Sequence, residues 1–232
     1  MKLSVIVPVF NERGTVEELL QRVERVPLDK EIVVVDDGST DGTRELLRRF
    51  ENRPGFRVLF HERNRGKGRA IRTGLDAASG DVVVIQDADL EYDPQDFLEL
   101  LRPIQEGRTR VVYGSRRLIR SNRQHSGVIF YLGGMFVTWM TRWLYGLKIT
   151  DEATCYKMFD AELLRSLRLS CERFEFCPEV TAKLARRGEP IVEVPIRYYP
   201  RHKDEGKKIG WRDAVEAVWT LLKLRFAPRT RP

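Results

Sequence analysis

The sequence predicts an α/β fold, a mainly parallel central sheet flanked by helices and finished by a C-terminal amphipathic helix. Two observations carry that expectation. Short, near-continuous apolar runs alternate with segments of helical period across residues 3–86, as βαβ crossovers with strands buried on both faces require. Each run ends in a polar cluster: Asn11-Glu12, Asp36-Asp37, Asn64 to Lys67, and Asp87 with Asp89. Sheets of this kind collect ligands beyond the carboxyl ends of their strands.

In chain order, Leu3-Ser4-Val5-Ile6-Val7-Pro8 reads as the first strand. Residues 15–26 follow as a helix, with Val16, Leu19, Leu20 and Val23 at helical spacing. Glu31 to Asp36 is the second strand, after which Ser39 or Thr40 is expected to cap a helix running through Leu46 and Leu47. Strands at 56–60 and 81–86 enclose a helix at 66–78. Beyond Pro94 come a helix to about residue 106 and a strand at 110–113. A short segment at 154–159, a helix at 178–187 and an extended stretch at 191–199 follow. The last helix, 211–224, carries Val215, Val218, Trp219 and Leu222 on one face. Neither internal repeats nor a flexible linker is visible, so residues 1–209 read as one domain and 210–232 as a helix with a basic tail.

Composition narrows the partners. The 232 residues include 41 Lys and Arg against 34 acidic residues, a net charge of +7, which favours anionic partners such as nucleotide phosphates and lipid head groups. The basic residues are interspersed with acids and no RNA-binding signature occurs, so nucleic acid is not expected. The three cysteines lack Cys-x-x-Cys spacing, which fits a reducing cytoplasm, and the N-terminus carries no secretory signal pattern. Residues 128–147 are apolar and aromatic with Arg142 as their one charge. Gly133-Gly134 and two threonines within them argue against a membrane span and leave two readings, a core helix or an amphipathic helix in the lipid interface.

The chemistry centres on Asp87-Ala88-Asp89-Leu90-Glu91. Alternating carboxylates at one strand tip repel unless a hard divalent cation is shared with ligand oxygens. Mg²⁺ or Mn²⁺ bridging a diphosphate meets that need; the other reading is a solvated acidic turn. An EF-hand loop is excluded because Tyr92 and Leu98 stand where Gly and Glu are required. No dinucleotide-binding or P-loop motif is present. Asn11, Glu12, Asp36, Gly38 and Ser39 could bind a nucleoside or merely form turns. Lys67 at a helix start, beside backbone amides, offers a diphosphate contact.

Together with Gly114-Ser115-Arg116, Thr150 to Lys157, Phe174 to Glu179 and Gly206 to Trp211, these motifs resemble family 2 inverting glycosyltransferases of the nucleotide-sugar-binding GT-A fold. Within that family they are similar to the dolichol-phosphate mannose synthases. The resemblance implies that Pro8, Glu12 and Asp36 hold the nucleoside of a nucleotide-sugar donor. It implies Asp87, with Ala88, at the ribose or sugar, and Asp89 and Glu91 at the metal, Asp89 as the catalytic ligand. Relatives often carry Gln where Glu91 stands. Arg116, Arg201, Lys207 and Lys208 would grip phosphate oxygens of acceptor or donor. The implied reaction passes a hexose from GDP-mannose or UDP-glucose to a polyprenyl phosphate or other lipid-linked acceptor at the inner face of the cytoplasmic membrane. Many relatives carry C-terminal membrane spans, whereas a single amphipathic helix stands here, so the contact is expected to be peripheral. A soluble or polysaccharide hydroxyl acceptor is the alternative, and a sugar nucleotidyltransferase a remoter one. Asp151 is then a general base for a hydroxyl acceptor, a positioning group for a phosphate, or a helix cap beside Thr150. Glu175 and Glu179 line the sugar pocket or open a helix at Pro178.

Overall fold

The computed structural model describes residues 1–124, 128–200 and 211–228. Seven strands form one sheet: β1 (Leu3–Val9), β2 (Lys30–Asp36), β3 (Phe56–Phe60), β4 (Val82–Ile85), β5 (Val111–Ser115), β6 (Lys157–Asp160) and β7 (Ile191–Pro195). Their order is β3-β2-β1-β4-β6-β5-β7. All neighbours run parallel except β6, which is antiparallel to both β4 and β5. This strand is the short segment at 154–159 whose apolar content was too brief to read as sheet. From β1 the chain builds outward through β2 and β3, then returns to add β4 on the opposite side. The switch point therefore lies between β1 and β4, and the polar clusters after them share one rim.

The helices are α1 (Val16–Glu24), α2 (Thr43–Leu47), α3 (Lys67–Ala77), α4 (Phe97–Gln105), α5 (Val128–Tyr145), α6 (Ala161–Ser166), α7 (Phe176–Arg187) and α8 (Trp211–Phe226). Val16, Leu19, Leu20 and Val23 of α1 are buried as their spacing predicts, each worth about 1.5–3 kcal/mol. Helix α2 departs from expectation. Its N-cap is Gly42, at a left-handed φ of 94°, and Ser39 instead accepts the Asn11 amide at 2.9 Å.

A second, smaller core joins α5, α7 and α8 through Val137, Leu144, Ala182, Ala217 and Leu221. Tyr145 donates to the Leu221 carbonyl at 2.7 Å. The buried side of α8 is thus Ala217 and Leu221, whereas Val215 and Trp219 of the expected apolar face are exposed. Helix α5 behaves likewise: Val137, Thr138, Thr141 and Leu144 are buried, while Leu132, Met135, Phe136, Trp139 and Trp143 face outward. No helix among the described residues is long and apolar enough to cross a membrane.

Near the amino-terminal ends of the parallel strands, buried Glu31 accepts from Ser4 Oγ at 2.6 Å, Ser79 Oγ at 2.9 Å, the Ser79 amide and Lys2. Burial opposes its charge, but these donors outweigh it and pull the carboxyl down to about 2 from 4.5. A depressed carboxylate contributes its full stability above the unfolded value and loses it as the pH falls. Glu31→Gln is expected to cost about 2 kcal/mol at neutral pH. It should also flatten the acid-induced loss of stability between pH 4.5 and about 2, as urea unfolding across that range will read.

Candidate functional site

At the tip of β4 the three carboxylates do not converge as the sequence suggested. Asp87 turns to Lys67, whose Nζ lies 2.5 Å from its Oδ1. Burial works against the Lys67 charge, but Asp87 overcomes it and holds the ammonium above its usual range. Asp89 accepts the Glu91 amide at 3.1 Å, across Leu90 at a φ of 61°. Glu91 is buried and accepts the Tyr198 hydroxyl at 3.0 Å. Among the described residues no three acidic, His or Cys side chains are grouped as a closed metal cage. Asp89 and Glu91 are carboxylates of the hard-oxygen type that Mg²⁺ or Mn²⁺ takes when a ligand supplies its other oxygens.

The loop after β1 is tied to both neighbours. Thr15 Oγ1 donates to Glu12 Oε2 at 2.9 Å and to the Ala88 carbonyl at 2.8 Å, setting Glu12 beside the β4 loop. Asn11, at a φ of 51°, receives the Thr40 amide at 2.9 Å, and Pro8 pairs with Val35 in the sheet.

The loop after β2 serves the fold more than was read. Asp36 is fully buried, accepting Arg44 Nε at 2.7 Å and the Ser39 amide at 3.2 Å. Asp37 accepts the Arg65 and Gly66 amides at 2.9 and 2.8 Å and contacts His61 at 2.7 Å. A Cβ on Gly38 would lie 2.5 Å from the Arg63 carbonyl carbon, and the residue has a φ of +78°, so the neighbouring loop by itself requires glycine there. The helix-start amides expected to meet a diphosphate are also committed, Gly68 and Arg69 donating to the Arg173 and Glu172 carbonyls at 2.9 and 3.0 Å. The Lys67 side chain, paired with Asp87, places a cation on this side.

Across the rim, Arg116 and Asp151 form a buried bidentate pair: Nε to Oδ2 and Nη2 to Oδ1, both 2.7 Å, with the Arg116 amide adding a 3.0 Å bond. Burial favours the neutral acid, but Arg116 and then Arg117 outweigh it and keep Asp151 below the usual carboxylate range. Glu193 of β7 accepts the Thr150 and Asp151 amides at 2.8 and 3.1 Å. Asp151 is thereby an anion bound to a guanidinium, and no helix starts here for it to cap. Arg117 lies over the Tyr131 ring of α5 at 5.5 Å, and Thr138 of α5 accepts the Glu152 amide at 3.1 Å, so α5 abuts this end of the site.

The two glutamates read as sugar-pocket residues are committed elsewhere. Glu179 is buried and accepts from Ser170 Oγ and the Ser170 and Cys171 amides, and pairs with Lys183 at 2.6 Å. Glu175 takes the Glu172 and Arg173 amides at 2.7 and 2.9 Å, shaping the turn before α7. Arg201, Lys207 and Lys208 lie outside the described residues. The sequence reading missed Thr15, Arg44, Glu193 and above all Tyr198, which meets Glu91 across 107 positions; nothing in local spacing signals such a pairing.

The acidic tip of β4 and the Arg116–Asp151 pair both lie within residues that match a known family. The glycosyl transferase family 2 profile covers residues 4–167. The chain belongs to this family. As a family 2 member it is a glycosyltransferase with a GT-A fold. It is 39% identical to the dolichol-phosphate mannosyltransferase of Pyrococcus furiosus, over 96% of this chain and 64% of that protein. It is 30% identical to the undecaprenyl-phosphate 4-deoxy-4-formamido-L-arabinose transferase of Edwardsiella ictaluri, over 95% and 66%. The chain thus spans about two thirds of these relatives, whose names mark them as polyprenyl-phosphate sugar transferases. Among solved structures, glucosyl-3-phosphoglycerate synthase from Mycobacterium tuberculosis with Mn²⁺, uridine diphosphate and phosphoglyceric acid superposes with a TM-score of 0.75. It is 23% identical, over 99% of this chain and 80% of that one, a likeness of fold.

Proposed function

We propose that this transferase is metal-dependent and passes a hexose from a GDP- or UDP-sugar to a polyprenyl phosphate with inversion. The observation that carries the reading is the two-sided rim. Asp89 and Glu91 stand on the donor side, and the buried Arg116–Asp151 pair stands on the other, next to an aromatic surface. Glu12, held by Thr15, and the β2 loop border the nucleoside. Lys67 and the Asp87 it neutralises border the diphosphate and sugar. Asp89 and Glu91 would hold Mg²⁺ or Mn²⁺, which when bound would supply Lewis acidity toward the departing nucleotide diphosphate. An acceptor phosphate oxygen attacks the anomeric carbon as the carbon–oxygen bond to that diphosphate breaks. Being already ionised, a phosphate needs no general base, which suits an Asp151 committed to Arg116.

The outward rings support a lipid acceptor. Trp139 and Trp143 stack at 6.4 Å, Phe136 follows at 6.2 Å, and Trp219 and Phe226 of α8 are exposed beside charged Lys223 and Arg225. Aromatic rings with basic neighbours suit an anionic lipid interface. In this reading residues 1–209 are the transferase domain and 210–232 a membrane-facing extension, and contact is peripheral at the inner face of the cytoplasmic membrane. The test is transfer of labelled sugar from a GDP-mannose and UDP-sugar panel to polyprenyl phosphate in anionic vesicles, with soluble hydroxyl acceptors in parallel. Lipid-linked product is expected; product only on soluble acceptors overturns the acceptor class. The double variant Trp139→Ser/Trp143→Ser should lose most of its cosedimentation with the vesicles while keeping nucleotide binding.

A further inference from the structure

The segment after β7 crosses directly over the acidic tip of β4. The Tyr199 amide donates to the Glu91 carbonyl at 2.8 Å, and Tyr92 and Tyr198 form an isolated antiparallel bridge. Arg197 pairs with Asp93 at 2.8 Å and Asp96 at 2.7 Å, riveting the crossing in place. Under it lies Leu90 at a φ of 61°, a left-handed conformation that a branched side chain keeps only when its surroundings over-determine it. Tyr198 itself is 7% exposed and touches both halves of the site. Its hydroxyl donates to Glu91 Oε2 at 3.0 Å, and its ring lies 5.0 Å from the Arg116 guanidinium carbon. Tyr92 backs the ring at 5.4 Å.

We propose that Tyr198 is a positioning residue that locks the Asp89–Glu91 turn to the Arg116–Asp151 pair, so that the donor-side carboxylates and the acceptor-side cation are set as one unit. The inference rests on the functional reading above and names the part that couples its two halves. One side chain serves both because a phenol separates its tasks. The hydroxyl fixes the rotamer of Glu91 by taking one oxygen, which directs the rest of the carboxylate, as a carboxylate's outer hydrogen bonds do for metal ligands. The ring face holds Arg116 by stacking without using any of its N–H groups. Phenylalanine could carry only the second task, and leucine neither.

Substitution separates the two tasks. Tyr198→Phe keeps the ring and removes the hydroxyl; Tyr198→Leu removes both. Calorimetric titration of Mn²⁺ in the presence of UDP or GDP reads the first task, and the KM for the acceptor reads the second. Tyr198→Phe is expected to weaken Mn²⁺ binding about tenfold and to leave the acceptor KM within about twofold. Tyr198→Leu weakens Mn²⁺ similarly and raises the acceptor KM about tenfold. In a cycle with Glu91→Gln, Tyr198→Phe should add no further loss, because the two act through one bond. Wild-type Mn²⁺ affinity in Tyr198→Phe, or additive losses in the cycle, overturn the proposal while the functional reading stands. A wild-type chain that takes up no Mn²⁺ with either nucleotide overturns both. If Tyr198→Leu fails to fold, Tyr198→Phe and the cycle decide alone.

Discussion

Asp89→Asn is expected to lower sugar transfer by at least about a thousandfold while leaving the fold nearly untouched. The asparagine keeps an oxygen for the Glu91 amide, now 3.1 Å from Asp89 Oδ1, so the strained turn at Leu90 survives. What disappears is charge. Asp87 cannot replace it, because Lys67 at 2.5 Å already neutralises that carboxylate. Glu91 is partly committed to Tyr198. The readout is paired: transfer rate, and the thermal shift given by Mn²⁺ with UDP or GDP. A ligand that binds only the folded chain raises the transition in proportion to its affinity. The variant should lose the metal-dependent part of the shift and keep its ligand-free transition temperature. Activity within tenfold of wild type would show that the donor diphosphate is neutralised by other groups.

Much of this was legible because local signals dominate a doubly covered parallel sheet. The apolar runs at β1, β2 and β4 are buried almost completely, and their alternation with helices dictates which residues reach the rim. The acidic motif was legible as a location, since any residue directly after β4 must stand at the switch point. Its internal division was not. That Asp87 faces Lys67 while Glu91 faces Tyr198 depends on partners 20 and 107 positions away, and no spacing rule encodes them. The loop after β2 carries a related ambiguity. Asp36, Asp37 and Gly38 are the residue types that bind ribose, but they are equally the types that build tight loops. Here Arg44, the 65–66 amides and the Arg63 backbone claim them. The aromatic faces of α5 and α8 divide the same way: periodicity locates an apolar stripe but cannot say which side another helix covers. In α8 the small Ala217 faces the neighbours and the large Trp219 faces out.

Asp151→Asn should be the most damaging change on the acceptor side, and its pH profile identifies the role of the residue. Removing one partner of a buried ion pair leaves the other uncompensated, at about 3–5 kcal/mol. Arg116 donates three hydrogen bonds to this carboxylate, one from its amide and two from its guanidinium, so without the carboxylate's charge the guanidinium would drift from its seat over Tyr198. A displacement of that kind typically costs about a hundredfold in rate, and urea unfolding alongside kcat/KM will read both effects. Arg116→Lys should fail similarly, because a point-like ammonium cannot be bidentate and stacked at once. The pH dependence then discriminates. Asp151 is held below the usual carboxylate range by Arg116 despite its burial, so it is fully ionised at neutral pH and contributes no titration there. If a phosphate is the nucleophile, the acidic limb of kcat/KM belongs to its second ionisation, near about 6, and persists unchanged in Asp151→Asn at a lower plateau. If Asp151 were the base for a hydroxyl, that limb would belong to the enzyme and vanish with the carboxylate.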